Sequence, residues 1–406
     1  MRPEFDIIVN EDDIGKMNVC FETFGCRLNK AEALEDEAKC LAVGHKVVTD
    51  HQEADFFVIR GCSVTSRAQR DCEKLIAHLR EKYPNKRIHV TGCMKEARPL
   101  IVKQKDDAPP VPMSTARAYL KAQNGCNGKC TFCIVPRFRG KSISEDFTTV
   151  VDKAKRFIDA GYHEIVLTGC NLSLYASGGK RLPDLVSALA ELDPACRIRI
   201  GSLEPFLSAD ETIDAMAAHK NVCRFLHMPI QSGSDRVLSI MKRPYTVEKA
   251  EQLMQKAKRL MPFVALGCDM IAGFPGETER DQLASEALLT RLRIVNVHSF
   301  PFSRRPGTPA ATMSGQLPHE EVVERAKKIA KIGETNLRAF ARQFLDKTVE
   351  VVIESEKRAV GWTSEYLWLE EQDAESDASE TKNERRETVL FRVKEAHGGR
   401  LYGVRV

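Results

Sequence analysis

Long apolar runs are missing from this 406-residue sequence: none approaches the roughly 20 residues that cross a bilayer. The N-terminal Met-Arg-Pro-Glu-Phe-Asp also lacks the apolar stretch of a secretory signal. These absences set the expectation of a cytoplasmic protein with no membrane partner. An excess of one charge is missing too. Against 61 Lys and Arg stand 57 Asp and Glu, and the net +4 is too weak to establish a nucleic-acid partner, although it is the sign that phosphate favours. No Ser-His-Asp set, phosphate loop or paired-carboxylate motif stands out, so the common hydrolase and phosphoryl-transfer chemistries find no support. Hydrophobic residues make up 43%, enough for sizeable cores, and the length predicts two or three domains.

Cysteine, by contrast, is plentiful. There are 13, an odd count, which in a reducing compartment speaks for metal ligation or burial and against a disulfide framework. Three of them are packed into Cys126-Asn-Gly-Lys-Cys130-Thr-Phe-Cys133. A short loop of this kind wraps three thiolates round one face of a cubane and leaves one iron unligated, which suits a [4Fe-4S] cluster with an open iron. A structural zinc site with a distant fourth ligand and a cluster of buried cysteines are the alternatives.

The N-terminal third alternates strand and helix. Residues 18–24, 56–60 and 87–91 read as strands, and 30–41 and 66–82 as helices, the order of a parallel α/β domain. Cys26, Cys62 and Cys93 each follow one of these strands. In an open parallel sheet the strand ends gather along one edge, where ligands bind, so three cysteines far apart in sequence can converge. The middle third continues the alternation. Strands at 164–168, 197–200, 224–228, 265–271 and 295–300, with helices such as 148–160 and 247–260, follow the strand that feeds the cysteine loop. This order predicts a partial (β/α)6 barrel with its site at the strand C-terminal ends. Those ends carry Thr168 and Gly169, Ser202 and Glu204, then Gln231 and Ser232 as candidate cofactor contacts, with turn and cap residues as the competing reading. His227 and His298 read as packed, hydrogen-bonded strand residues, and the remaining cysteines, Cys170 included, as buried.

The loop spacing is that of the radical S-adenosylmethionine enzymes. Its surroundings, Lys121-Ala-Gln-Asn-Gly-Cys126 and Cys133-Ile-Val-Pro-Arg-Phe-Arg-Gly140, resemble the methylthiotransferase branch. Gly25-Cys26-Arg-Leu-Asn29, Gly61-Cys62-Ser-Val-Thr65 and Gly92-Cys93-Met94 match the three cysteine stations of that family's first domain. The resemblance implies two [4Fe-4S] clusters, one on Cys126, Cys130 and Cys133 and one on Cys26, Cys62 and Cys93. It also implies bound S-adenosylmethionine beside Phe132, cleaved to a radical that removes hydrogen from an unactivated carbon, and an external electron donor; the sulfur donor stays unassigned. Two departures stand out. Arg60-Gly61 replaces a usual Asn-Thr pair, and only 32 residues separate Cys93 from Cys126 where the family has a longer stretch. Residues 104–113 read as a linker.

Two further strings resemble the family's fifth-strand motif and closing segment: Cys268-Asp-Met-Ile-Ala-Gly-Phe-Pro-Gly-Glu277 and His298-Ser-Phe-Pro-Phe-Ser-Arg-Arg-Pro-Gly-Thr-Pro-Ala310. In the second, Arg304 and Arg305 are candidates for phosphate or cofactor contact, with a solvated turn as the alternative. After a helical run at 320–344 the texture becomes β: 347–355, 360–370 and 388–394 alternate, separated by an acidic loop at 370–387. A small antiparallel barrel of the oligonucleotide-binding sort is expected, resembling a TRAM domain, which implies RNA contact. Trp362, Tyr366 and Trp368 are candidates to stack on bases or to fill that barrel's core. The fold class is therefore α/β, with domains at 1–110, 114–340 and 345–406. Within the family, Arg199-Ile-Gly-Ser-Leu-Glu-Pro205 and Phe300-Pro-Phe-Ser-Arg-Arg-Pro-Gly-Thr-Pro309 resemble the branch that methylthiolates N6-threonylcarbamoyladenosine at position 37, in the tRNA anticodon stem-loop. Action on isopentenyladenosine tRNA or a ribosomal-protein aspartate, and a non-enzymatic RNA-binding iron-sulfur sensor, are the alternatives.

Overall fold

The computed structural model describes residues 8–9, 16–95, 97–102, 111–112, 114–355, 360–372 and 387–406. Most of the linker expected at 104–113 and most of the acidic loop at 370–387 lie outside these. The chain forms two units, residues 1–115 with 134–141, and residues 116–133 with 142–406.

The first unit is a parallel sheet with strands β1 (Asn18–Thr23), β2 (Lys46–Val48), β3 (Phe56–Cys62) and β4 (Arg87–Cys93) in the order β2-β1-β3-β4. Every residue of β3 is buried, as a strand covered on both faces must be. Alternate residues divide between two cores. Phe56 and Val58 join Val19 and Cys40 of helix α1 (Arg27–Ala42), whereas Phe57 and Ile59 join Cys72, Ile76 and Leu79 of α2 (Ser66–Lys82). Strands β3 and β4 run two residues beyond the sequence expectation. Gly61 and Gly92 look like turn signals but pair with each other inside the sheet, which makes Cys62 and Cys93 register partners. The short helix α3 (Val135–Arg139), which follows Cys133 in the chain, belongs to this unit.

The second unit opens with six parallel strands. Three of them, β5 (Ala118–Asn124), β6 (Glu164–Gly169) and β7 (Arg197–Ile200), form one sheet, and β8 (Phe225–His227), β9 (Ala265–Ala272) and β10 (Asn296–Pro301) form another. A parallel bridge from Ile198 to Val222 joins the sheets into the expected partial barrel. Helices α4 (Phe147–Asp159), α5 (Leu182–Leu192), α6 (Ala209–Ala218), α7 (Asp235–Ile240), α8 (Val247–Leu260), α9 (Glu279–Leu292) and α10 (His319–Ala341) fill the crossovers and the exit. Side-chain caps start several of them, including Asp146 on α4 and Thr246 on α8.

Five more strands, β11 (Thr348–Ile353), β12 (Val360–Thr363), β13 (Trp368–Glu371), β14 (Thr388–His397) and β15 (Arg400–Arg405), close into a small barrel in the order β11-β12-β13-β15-β14. Its pairs are antiparallel except β13 with β15. The run at 360–370, read from sequence as one strand, is a hairpin: Tyr366 takes a left-handed φ of 64° and turns the chain. The last strand carries no signal strong enough to have been foreseen.

This barrel is docked on the N-terminal ends of the six-stranded barrel. Phe225, Ala265 and Val295, each at or beside the start of a strand, share one core with Val351, Leu369, Phe391 and Leu401. At the junction, Glu164 accepts from Arg199 Nε at 2.7 Å, and the two guanidinium groups of Arg197 and Arg199 donate on to the carbonyls of Trp362, Thr363 and Ser364. Tyr366 stacks between Phe225 at 4.8 Å and Trp362 at 4.3 Å. Tyr366 thus packs against that core, whereas Trp362 and Trp368 are half-buried and meet edge-on at 4.9 Å.

Candidate active site

The strand C-terminal ends of the second unit hold the cysteine loop. Gln123, fully buried at the end of β5, shapes its start by donating Nε2 to the carbonyls of Asn124 at 2.9 Å and Gly125 at 2.6 Å. Farther along, Thr131 is tied through its backbone to the Met241 and Ala310 segments at 3.0 and 2.9 Å. Between these anchors the loop curls round its own sulfurs. Cys126 Sγ accepts from Gly128 N at 3.3 Å, and a Cβ added at Gly128 would sit 3.2 Å from Cys126 Sγ and 3.7 Å from Cys130 Sγ.

Arg243 is the loop's main outside partner, and sequence reasoning missed it. It donates Nη1 to Cys130 Sγ at 2.9 Å, Nε to Tyr245 Oη at 2.7 Å and Nη2 to Glu204. Burial pushes the Cys130 thiol up, and Arg243 pulls it back toward the thiolate that metal binding needs. The Glu204 carboxyl is pushed up to about 7, by burial first and by the nearby Asp269, against the pull of Arg243. Arg243 lies 113 residues from Cys130, in Met241-Lys-Arg-Pro-Tyr245, which bears no ligand-like spacing.

The other expected cofactor contacts divide. Glu204 is brought to the loop, and Gln231 is held buried with a left-handed φ of 73°, its N–H on Asp269 O at 2.8 Å. Strain of this kind in a non-glycine residue accords with a functional position. Thr168 is buried at the end of β6, and Ser202 is exposed. Gly169 has a packing reason for its missing side chain, since a Cβ there would lie 2.9 Å from Gln123 Oε1. Ser232 accepts from Ser234 N at 3.2 Å, a turn role. Phe132 packs edge-on to Phe274 at 6.4 Å. Cys170 donates to Asn124 Oδ1 at 3.6 Å, Arg304 is bonded to Gln316 at 3.0 Å, and Arg305 is buried.

In the first unit the second trio is built by the sheet. Cys62 and Cys93 end adjacent strands in register, and Cys26 caps α1. Gly25, at φ 93°, brings its backbone so close that an added Cβ would lie 2.6 Å from Cys62 Cβ. Asn29, fully buried, donates to the carbonyls of Phe24 at 2.7 Å and Gly61 at 3.0 Å, locking the Cys26 turn to the end of β3. Arg139 is the counterpart of Arg243. Its Nε donates to Cys93 Sγ at 2.9 Å, Nη1 to Glu32 at 2.9 Å and Nη2 to Asn29 Oδ1 at 2.6 Å. Burial raises the Cys62 and Cys93 thiols, and Arg139 opposes it. The Arg60-Gly61 departure has a physical account: Arg60 pairs with Glu32 and Asp36 of α1, and a Cβ at Gly61 would lie 2.3 Å from Met94 Cγ.

Three thiols per site, with a basic hydrogen-bond donor on one sulfur of each, fit an iron-sulfur cluster with an open iron. Among the described residues, the groups of three ligand atoms all within 4.8 Å of one another are Cys20-Glu22-His51 and His227-Asp269-His298. Neither cysteine trio is that tight, which suits a cluster of several metal atoms better than a single zinc ion.

Comparison with known proteins agrees. The family described as "Radical SAM superfamily" matches residues 120–287, and "Uncharacterized protein family UPF0004" matches residues 18–110. The chain is 31% identical to "Threonylcarbamoyladenosine tRNA methylthiotransferase MtaB" of Bacillus subtilis (strain 168), over 86% of this chain and 89% of that protein. It is 30% identical to "tRNA-2-methylthio-N(6)-dimethylallyladenosine synthase" of Aquifex aeolicus (strain VF5), over 86% and 90%. Among solved structures, the radical S-adenosylmethionine methyltransferase TsrM from Kitasatospora setae shares the fold with a TM-score of 0.54 at 14% identity, over 73% of this chain and 77% of that one. No helix among the described residues is long and apolar enough to cross a membrane. The chain belongs to the radical S-adenosylmethionine methylthiotransferase family, enzymes whose cofactors are two [4Fe-4S] clusters and S-adenosylmethionine.

Proposed function

We propose that this enzyme converts N6-threonylcarbamoyladenosine at position 37 of the tRNA anticodon stem-loop to its 2-methylthio derivative, in the cytoplasm, with an external electron donor. The observation that carries the methylthiolation is the pair of three-cysteine sites, each bonded to one arginine. The choice of base rests on the segments Arg199–Pro205 and Phe300–Pro309, which resemble the threonylcarbamoyladenosine branch.

In this reading Cys126, Cys130 and Cys133 hold one cluster and Cys26, Cys62 and Cys93 the other, while Glu204 and Gln231 contact S-adenosylmethionine. When bound, the cofactors supply the one-electron chemistry that replaces a C–H bond by C–SCH3, which no side chain can do. The protein's part is aim. Arg243 fixes the Glu204 carboxylate and the Cys130 sulfur in one geometry. Gln123 and Thr131 hold the loop from both sides. In the other site, Asn29 and Arg139 hold Cys26, Cys62 and Cys93 at one sheet edge.

Mass spectrometry of tRNA nucleosides from cells with and without the enzyme tests the proposal. The 2-methylthio derivative of N6-threonylcarbamoyladenosine should be absent from cells lacking the enzyme and reappear when it is restored. Loss of the isopentenyl derivative instead, or of neither, overturns the assignment.

A further inference from the structure

One face of the six-stranded barrel carries side chains that the cysteine chemistry leaves unused. On β10, Val297 and Ser299 turn toward α10: a Cβ at Gly333 would meet Val297 Cβ at 2.7 Å, and Ser299 Oγ donates to Ala326 O at 2.8 Å. Side chains alternate along a strand, so His298 and Phe300 point the other way, into the lumen. Across the sheet Asp269 is the register partner of His298, and Ile271 that of Phe300.

Asp269 orients this face. Its Oδ1 accepts from His298 Nδ1 at 3.0 Å and from His227 Nε2 at 3.1 Å. A carboxylate only accepts, so the hydrogen sits on His298 Nδ1 and the ring presents Nε2 outward. Nε2 has no partner among the described residues, and the side chain is 51% exposed. Phe300, 36% exposed, stands edge-on to that imidazole with centroids 6.3 Å apart. The Asp269 carbonyl accepts from Gln231 N at 2.8 Å, and the adjoining Ile230 carbonyl accepts from Tyr245 Oη at 3.2 Å, which Arg243 joins to Cys130, so this face adjoins the cysteine loop.

An exposed aromatic face and an oriented hydrogen-bonding edge, side by side at the strand ends, are what an unstacked nucleobase requires. We propose that Phe300 and His298 form the subsite for the target base of the RNA, a purine turned out of its stack, with Phe300 against its face and His298 Nε2 at its edge. This rests on the RNA-modifying reading above. It assigns His298 a role beyond the packing expected from sequence.

The test uses a stem-loop RNA with 2-aminopurine in place of the target adenosine, titrated into the holoenzyme. Fluorescence should rise as the base leaves its stack, and Phe300→Ala or His298→Ala should weaken the apparent affinity of that response by roughly tenfold. Anisotropy of an end-labelled stem-loop, which reads mainly backbone contacts, should move much less. Phe300→Trp should keep the response. His298→Gln, whose amide reaches the place of Nε2, should keep more of it than His298→Asn, which mimics Nδ1 alone. If the alanine variants lose iron, the Gln, Asn and Trp variants decide. A wild-type enzyme without the rise, alanine variants with an unchanged response, or rescue by Asn equal to that by Gln would overturn the subsite. A normal wild-type response with no methylthiolated nucleoside would instead overturn the proposed function and leave the subsite standing.

Discussion

The two cysteine trios solve one problem by different routes. In the loop trio the chain supplies all three sulfurs within eight residues, Cys126 to Cys133, and the fold has only to pin the ends. In the N-terminal trio the sulfurs are up to 67 residues apart, Cys26 to Cys93, and the sheet itself is the template, with Cys62 and Cys93 as register partners. Both converge on one device, an arginine that donates to a cysteine sulfur and is itself held by carboxylate and neutral partners. The difference teaches where each site is vulnerable: the loop to loss of a ligand or an anchor, the sheet site to anything that disturbs strand pairing.

The largest expected effect separates the two chemically. Cys130→Ala should abolish S-adenosylmethionine cleavage, read as 5'-deoxyadenosine formed under anaerobic reduction. Cys62→Ala should eliminate thiolation of tRNA yet spare part of that cleavage. Undiminished thiolation by reconstituted Cys62→Ala would break the two-site comparison outright.

Next come the glycines that shape each site. Gly25→Ala puts a Cβ 2.6 Å from Cys62 Cβ at a φ of 93°, a clash with a firmly held atom in a conformation alanine avoids. The first unit should lose about 1–3 kcal/mol. Gly128→Ala meets the Cys126 sulfur at 3.2 Å and the Cys130 sulfur at an ordinary contact distance of 3.7 Å, and is exposed, so about 0.5 kcal/mol is expected. Thermal unfolding with iron analysis should show Gly25→Ala losing iron from its own site and Gly128→Ala retaining nearly all. Equal losses would show that the loop is as tightly templated as the sheet.

How each site was legible follows from the same contrast. Local spacing displays the loop trio, and strand-helix alternation displays the sheet edge on which Cys26, Cys62 and Cys93 fall. The six barrel strands are readable from the alternation of apolar strand and amphipathic helix. The partners were not. Arg139 reaches Cys93 across 46 residues and Arg243 reaches Cys130 across 113, and no sequence pattern encodes a contact that only tertiary folding creates. At Gly169 and Ser232 the sequence does not separate a ligand contact from a packing or turn role, because turn and packing residues share their chemistry with ligand sites. The strand context of His298 predicts packing, whereas its 51% exposure depends on where the sheet edge falls.

A smaller effect tests the shared arginine device. Hydrogen bonds to ligating sulfur raise a cluster's reduction potential, so Arg139→Met and Arg243→Met should each make one potential more negative. Redox titration followed by electron paramagnetic resonance reads both. Only Arg243→Met should also weaken S-adenosylmethionine binding, because it strips Glu204 of its partner. Loss of cofactor affinity in Arg139→Met as well would blur the division of roles.

The last contrast between the units is one of pH dependence. Glu37 of α1 is buried, with one carboxylate oxygen lacking any partner among the described residues. Its carboxyl is pushed up to about 7, by burial first, against a hydrogen bond from Ser114 and with a push from Asp36. A raised acid pKa means that the folded state favours the neutral form. Its contribution is fully present below the unfolded value near 4.5 and is lost as pH rises through about 7. Glu164 in the second unit is the reverse: burial pushes it up, but Arg199 and Arg197 outweigh that and hold it well below the carboxylate range. Its contribution is present at neutral pH and lost only in strong acid. Glu37→Gln should therefore raise the stability of the first unit at pH 8 by about 1–3 kcal/mol and do little at pH 4. Glu164→Gln should lower that of the second at pH 8, because three buried arginines lose their counter-charge. Chemical denaturation of each variant at the two pH values checks the sign. A Glu37→Gln benefit that does not grow from pH 4 to pH 8 would show that this carboxyl is ionised at little cost and that the two units share one pH response.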